Sequence, residues 1–171
     1  AIQIGKLSGV KILVTASAGK HSLCKDLGAD HAIDYHEGPF PDKVLKVTDD
    51  KGVDIIIDFI GSDYFLQNIE CLKTDGRLIL LATMSGGKVS DFDLRKILMK
   101  RIQVKGSTLR SRSLDYQIKL TKDFFAYADP LLKEKKLRPV IDTIFEWDKV
   151  VEAHHYMEAN KNAGKIILKV V

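Results

Sequence analysis

The sequence predicts an α/β fold on a doubly wound parallel sheet, and three observations carry that expectation. Short apolar runs at residues 11–15, 31–34, 53–59, 77–82 and 102–107 read as strands. Segments with helical spacing separate them, and Gly28, Gly52, Gly61 and Gly76 punctuate the joints. Strands alternating with helices of about ten residues argue for βαβ units and a parallel sheet.

The opening stretch AIQIGKLSG reads as the last two turns of an amphipathic helix, with Ile2, Ile4 and Leu7 facing inward. No N-cap, strand or glycine-rich turn precedes it. A doubly wound nucleotide fold normally starts with strand one, the glycine turn and then this helix. The expectation is therefore a fold that lacks its first strand and its glycine-rich turn. A strand over Lys11–Thr15, a helix over Lys20–Leu27 and a glycine C-cap at Gly28 follow. After the strand His31–Asp34 comes a helix carrying Val44 and Val47. The run VDIIIDFI is nearly all apolar, as a strand covered on both faces should be. A helix over Tyr64–Leu72, a strand over Arg77–Ala82, a helix over Phe92–Met99 and a strand over Ile102–Ser107 complete the alternation. The rhythm then changes: a longer helix from about Asp115 to Lys135, a strand in RPVIDTIFEW, a helix over Asp148–Asn160 and a strand over Lys165–Val171. Pro139 precedes its strand, where it removes no internal ladder bond. The predicted division is residues 1–112 as a partial nucleotide-binding domain and 113–171 as a connecting helix with a C-terminal segment.

Composition narrows the function. The 171 residues carry 27 basic and 23 acidic side chains, a net charge of +4, which is mild. The densest basic run, Lys133 to Lys136, reads as the solvated end of a helix, so no nucleic-acid partner is expected. No apolar stretch approaches the roughly 18–20 residues of a membrane span, and no signal peptide is recognisable. Cys24 and Cys71 lie far apart and form no C-x-x-C pair, so a reducing compartment, the cytosol by default, and no metal site are expected. His154 and His155 are adjacent on a helix and point to different faces, which does not make a helical metal pair. They read as one half-buried and one surface histidine. No catalytic acid, base or nucleophile stands out.

The end of the second strand of a dinucleotide fold meets the adenosine ribose, and NAD-specific versions place an acid there. This chain instead offers Ser17 and Lys20. A 2′-phosphate carries close to two negative charges, to which a hydroxyl and an ammonium donate charge-assisted hydrogen bonds. Lys20 also falls in the first turn of a helix, where the dipole favours an anion. Spacing alone leaves open that Ser17 caps the helix and Lys20 is merely solvated.

Six stretches in order, AIQIGKLSGVKILVTA, LGADHAIDY, GVDIIIDFIGSDYF, CLKTDGRLILLATMSGG, GSTLRSR and AHHYMEANKNAGKIIL, together resemble the medium-chain dehydrogenase/reductases, within them the NADPH-dependent quinone oxidoreductases. The resemblance covers the whole chain. It implies a Rossmann-like fold of which this chain is the C-terminal half, the family's N-terminal catalytic domain and its A-x-x-G-x-x-G turn being absent, and it implies that residues 113–171 return to that catalytic domain, the segment from about Arg138 onward supplying its C-terminal elements. It implies NADPH as cofactor, with Ser17, Lys20 and Tyr35 on the 2′-phosphate. It further implies Gly61, Ser62, Thr83 and Met84 in loops bordering the riboses, Leu109 and Arg110 at the nicotinamide carboxamide, and Asn160 in a loop reaching back to the cofactor. Gly61, Gly86 and Gly87 would let main chain approach a ligand closely, or equally form ordinary turns. Arg110 and Arg112 are equally surface charges by sequence alone, and Asn162 a turn cap.

What the resemblance implies for function is hydride transfer from NADPH to a quinone, the cofactor carrying the chemistry and the protein orienting it. Reduction of an activated alkene such as an enal or enone is the alternative on the same scaffold. Two further readings are a truncated piece without activity and a module that binds NADPH without turnover. In the truncated reading Val140, Ile144, Phe145, Ile166 and Leu168 form an apolar face in need of a partner. A homodimer through the edge strand 102–107 is the expected assembly.

Overall fold

The computed structural model describes residues 1–170. Its elements are α1 (Ile2–Leu7), β1 (Leu13–Thr15), α2 (His21–Asp26), β2 (His31–Ile33), α3 (Pro41–Val47), β3 (Val53–Asp58), α4 (Ser62–Cys71), β4 (Leu72–Leu80), α5 (Arg95–Lys100), β5 (Gln103–Gly106), α6 (Leu114–Lys133), β6 (Ile141–Glu146), α7 (Val150–Glu158) and β7 (Lys165–Lys169). The α/β alternation is as the sequence predicts. The last expected strand reaches Val171, which lies outside the described residues.

Two compact units interleave along the chain. The first takes residues 1–14, 18–32 and those from Lys122 on; the second takes 15–17 and 33–121. The sequence-based boundary after residue 112 falls inside the second unit, and α6 has residues in both.

In the first unit, Ile2 and Ile4 on α1 are half-buried, whereas Leu7, expected to face inward, is 39% exposed. It sits at the helix end, where Ser8 caps the last turn and donates its hydroxyl to the Ile4 carbonyl. Gln3 exchanges two hydrogen bonds with the Arg138 backbone, each of 2.9 Å, and so fixes the segment leading into β6. β1 pairs with β2, and the Asp30 carboxylate accepts the Ile12 amide at 2.7 Å just before the ladder. Gly28 ends α2 with φ +111°, and a Cβ there would lie 2.8 Å from Lys6 Cβ. Both facts favour glycine over any other residue.

β6 and β7 pair in parallel through the crossover helix α7, with Ile144 opposite Ile167 and Phe145 opposite Leu168. Paired residues share a face. The expected apolar face therefore divides: Ile144 is 58% exposed, while Phe145, Ile166 and Leu168 are half-buried, Phe145 meeting Tyr156 edge-on at 5.9 Å. Neighbours along a strand point to opposite sides, which a grouping by apolarity alone does not respect.

In the second unit, β3, β4 and β5 form a parallel sheet in that order. Ile56, Leu78 and Val104 lie in register on one face, where Ile56 and Leu78 pack with Ile69 of α4 and Ile97 of α5. Ile69, Leu72, Leu78 and Ile102 are buried at its centre, with Phe65, Phe92 and Ile97 packed around them. Truncating one such side chain to Ala typically costs about 2–5 kcal/mol. β4 begins at Leu72, earlier than the expected Arg77. Its pairing passes from Val53↔Leu72 to Ile55↔Arg77, leaving Lys73–Gly76 as an excursion with Asp75 at φ +64°. The expectation that both faces of β3 are covered fails. Ile55, Ile57 and Phe59 are 50, 52 and 53% exposed, because the helices of this unit pack on the other face.

β1 and β2 share no ladder with β3. Among the described residues no helix is long and apolar enough to cross a membrane.

Candidate cofactor-binding site

In the second unit the loops after β3 and β4 are tied together at the carboxyl ends of their strands. Asp58, 4% exposed, accepts the Ile60 amide at 2.8 Å and the Gly61 amide at 3.2 Å. A buried carboxylate needs such donors, and here it shapes the turn. Gly61 has φ +98°, and a Cβ on it would stand 2.6 Å from the Gly86 oxygen and 2.8 Å from Thr83 Cα. The glycine thus serves a close approach of two main chains.

The hydroxyls complete this clasp. Ser85 Oγ donates to the Ile60 carbonyl at 3.0 Å and accepts the Asp63 amide at 3.1 Å. Ser62 Oγ donates to the Ser85 carbonyl at 3.1 Å, and the Ser62 amide donates to the Gly86 carbonyl at 2.9 Å. Asp58 and Ser85 are site-forming residues that sequence reasoning missed. The only signal was a polar residue closing each apolar strand. Beyond them Thr83 is exposed and Met84 is 76% exposed, its amide donating to the Phe59 carbonyl at 3.2 Å.

After β5, the Ser107 amide still donates to the Leu80 carbonyl at 2.9 Å, and the chain then turns. The Arg112 amide donates to the Leu109 carbonyl at 3.1 Å, and Thr108 and Ser111 pair through their hydroxyls. Leu109 is 53% exposed and Arg110 is exposed. The Arg112 guanidinium lies 4.8 Å from the Tyr116 ring centre. Exposed side chains at the carboxyl ends of parallel strands fit a bound nucleotide.

The three residues assigned to the 2′-phosphate are divided between the units. Ser17 and Tyr35 belong to the second, Lys20 to the first. The position before α2 is held by Lys20, so Ser17 is not that helix's cap. Tyr35 starts a 3-10 turn capped by Asp34, whose carboxylate accepts the His36 amide at 2.9 Å. Its ring lies against His36 with centroids 4.2 Å apart.

In the first unit Lys20 Nζ donates to Asn160 Oδ1 at 2.7 Å, joining two assigned residues that stand 140 positions apart. Asn162 behaves as a turn cap, its side-chain amide donating to the Gly164 carbonyl at 2.9 Å. His154 and His155 are both exposed, correcting the half-buried placement of one of them. Burial pushes the Cys24 thiol up against the lowering effect of the Lys20 charge, and pushes the Cys71 thiol up to about 12.

Parallel strands joined by helical crossovers define a Rossmann-like fold. The chain belongs to the medium-chain dehydrogenase/reductase family: the sequence model described as zinc-binding dehydrogenase matches residues 27–168. It is 28% identical to the human (Homo sapiens) synaptic vesicle membrane protein VAT-1 homolog over 98% of this chain and 46% of that protein. A crystal structure of an NAD-dependent alcohol dehydrogenase superposes with a TM-score of 0.84 at 27% identity, covering 100% of this chain and 47% of the other. The quinone oxidoreductase from Coxiella burnetii superposes with a TM-score of 0.73 at 31% identity, covering 100% and 48%. The chain thus spans about half the length of the relatives it matches. The family consists of oxidoreductases that use nicotinamide cofactors. Among the described residues no three His, Cys, Asp or Glu side chains are grouped as a metal ion would need.

Proposed function

We propose that this chain serves NADPH-dependent reduction of a quinone in the cytosol, as the C-terminal half of an enzyme of its relatives' length. The observation that carries the cofactor preference is the Lys20 ammonium, held at 2.7 Å by the neutral Asn160 amide. The likeness to a quinone oxidoreductase at 31% identity supports the substrate class.

Bound nicotinamide supplies the hydride that a quinone accepts. The chain's own residues bind and orient. Lys20 of the first unit recognises the 2′-phosphate. The clasp of Gly61, Ser62 and Ser85 keeps the loop with Thr83 and Met84 rigid against the riboses. Backbone at Leu109 and Arg110 orients the nicotinamide carboxamide. Fixed geometry of this kind is where orientation gains rate. The assembly we propose is a homodimer through β5. Its outer edge has no ladder partner among the described strands, and an open edge invites strand addition.

The test follows loss of reduced-nicotinamide absorbance with a simple para-quinone and, in parallel, with an enone. Turnover of the quinone supports the reading. Turnover of the enone alone transfers it to alkene reduction. A second reading is binding of NADPH without turnover. NADPH affinity with neither substrate consumed would establish it.

A further inference from the structure

The hydrogen bond between Lys20 and Asn160 has an asymmetry that bears on specificity. Asn160 follows α7 in the left-handed region at φ +52°. Its amide donates to the Met157 carbonyl at 2.9 Å, and the next amide, of Lys161, to the Tyr156 carbonyl at 3.3 Å. Backbone bonds therefore fix the acceptor, while the lysine is the long, flexible partner. The acceptor is also neutral. An amide oxygen orients an ammonium without cancelling its charge and leaves two of its three N–H donors for another acceptor. A carboxylate of the same shape would bind the ammonium as an ion pair and compete with any anion offered to it.

We infer that Asn160 is a positioning residue: it holds the Lys20 ammonium in place with its charge uncompensated, and thereby sets the preference for a 2′-phosphorylated adenosine over one with a free 2′-hydroxyl. The inference rests on the proposed NADPH reading and adds to it a residue that acts through Lys20. The consequence is that the charge at position 160, and not only that at position 20, decides between the two dinucleotides.

The experiment is a calorimetric titration of the chain with 2′,5′-ADP and with 5′-AMP, two probes that differ only in the 2′-phosphate. Asn160→Asp should weaken 2′,5′-ADP about tenfold or more while leaving 5′-AMP unchanged, since one charge-assisted contact is at stake. Asn160→Gly keeps the left-handed backbone accessible and removes the acceptor, and should weaken 2′,5′-ADP about threefold. Lys20→Met should abolish the discrimination, and adding Asn160→Asp to it should change nothing more. Unaltered far-UV circular dichroism and an unaltered thermal midpoint establish that the variants fold. Equal losses for both probes, or no loss in either Asn160 variant while Lys20→Met still abolishes discrimination, would overturn the inference and leave the phosphate reading standing. Discrimination that survives Lys20→Met would overturn both.

Discussion

A Cβ on Gly61 would stand 2.6 Å from the carbonyl oxygen of Gly86, so the loops after β3 and β4 meet main chain to main chain. Gly61→Ala forces both the clash and a φ of +98° on a residue with a side chain. The expected loss is about 2–3 kcal/mol, read as a melting temperature lower by roughly 4–10 °C. A thermal melt within 1 °C of the parent, an estimate of ordinary scatter for a neutral change (~0.5 kcal/mol), would show that the loops are not joined in this way.

Lys100 acts as the C-terminal cap of α4. Its Nζ donates to the carbonyls of Ile69, Glu70 and Leu72 at 3.2, 2.9 and 2.7 Å. These are groups a helix end leaves without partners, and a cation there also suits the dipole. Lys100→Met keeps the aliphatic stem and removes the donors. It should cost about 1–3 kcal/mol, measured as a lower urea midpoint with an unchanged slope.

Stability should fall at both ends of the pH range, for opposite reasons. Burial raises the Cys71 thiol to about 12, above its unfolded value of about 8.5. The folded state therefore resists deprotonation. Its contribution is complete below the unfolded value and lost as pH rises toward 12. At the acid end, the hydrogen bond from Arg101 holds the Asp75 carboxyl below its usual range. That contribution is present above the unfolded carboxylate range and fades as pH falls through the lowered value. The pair is exposed, so its share is small. Cys71→Ser should flatten the alkaline limb of a stability profile and leave the acid limb alone; an unchanged alkaline limb would contradict this. In the native chain a thiol reagent at neutral pH should label Cys24 well before Cys71, because Cys71 is 1% exposed.

Val104 tests the proposed dimer. The Ser107 amide points at the Leu80 carbonyl of β4. Amides alternate sides along a strand, so that of Val104 points to the outer edge. Val104→Pro removes an edge donor and spares the ladder to β4. Light scattering should show a dimer for the parent and a monomer for the variant. A parent that is monodisperse and monomeric at high concentration would end both the dimer and the expectation that exposed apolar surface drives association.

Much of the fold was legible because the period of apolar residues, not their tertiary surroundings, marks an element. VDIIIDFI announces a strand whatever packs on it. Whether Ile55 and Ile57 are covered depends on elements elsewhere, and apolarity alone wrongly implied two covered faces. Leu7 failed for a related reason, since the last residue of a helix need not lie over the core. Within the site, the candidate residues came from ordered motifs, and Ser85 and Asp58 escaped because one short polar residue at a strand end looks like any turn. The bond between Lys20 and Asn160 joins residues 140 apart, beyond the reach of any local pattern.

The central claim is that the adenosine end of the site was built for a phosphate. Parallel titrations with NADPH and NADH, read by Trp147, which is 57% exposed, and by the reduced nicotinamide itself, test it most directly. The account predicts saturable binding of NADPH about tenfold or more tighter than NADH, the worth of one charge-assisted hydrogen bond. Equal affinity for the two, or NADH binding the more tightly, would contradict it.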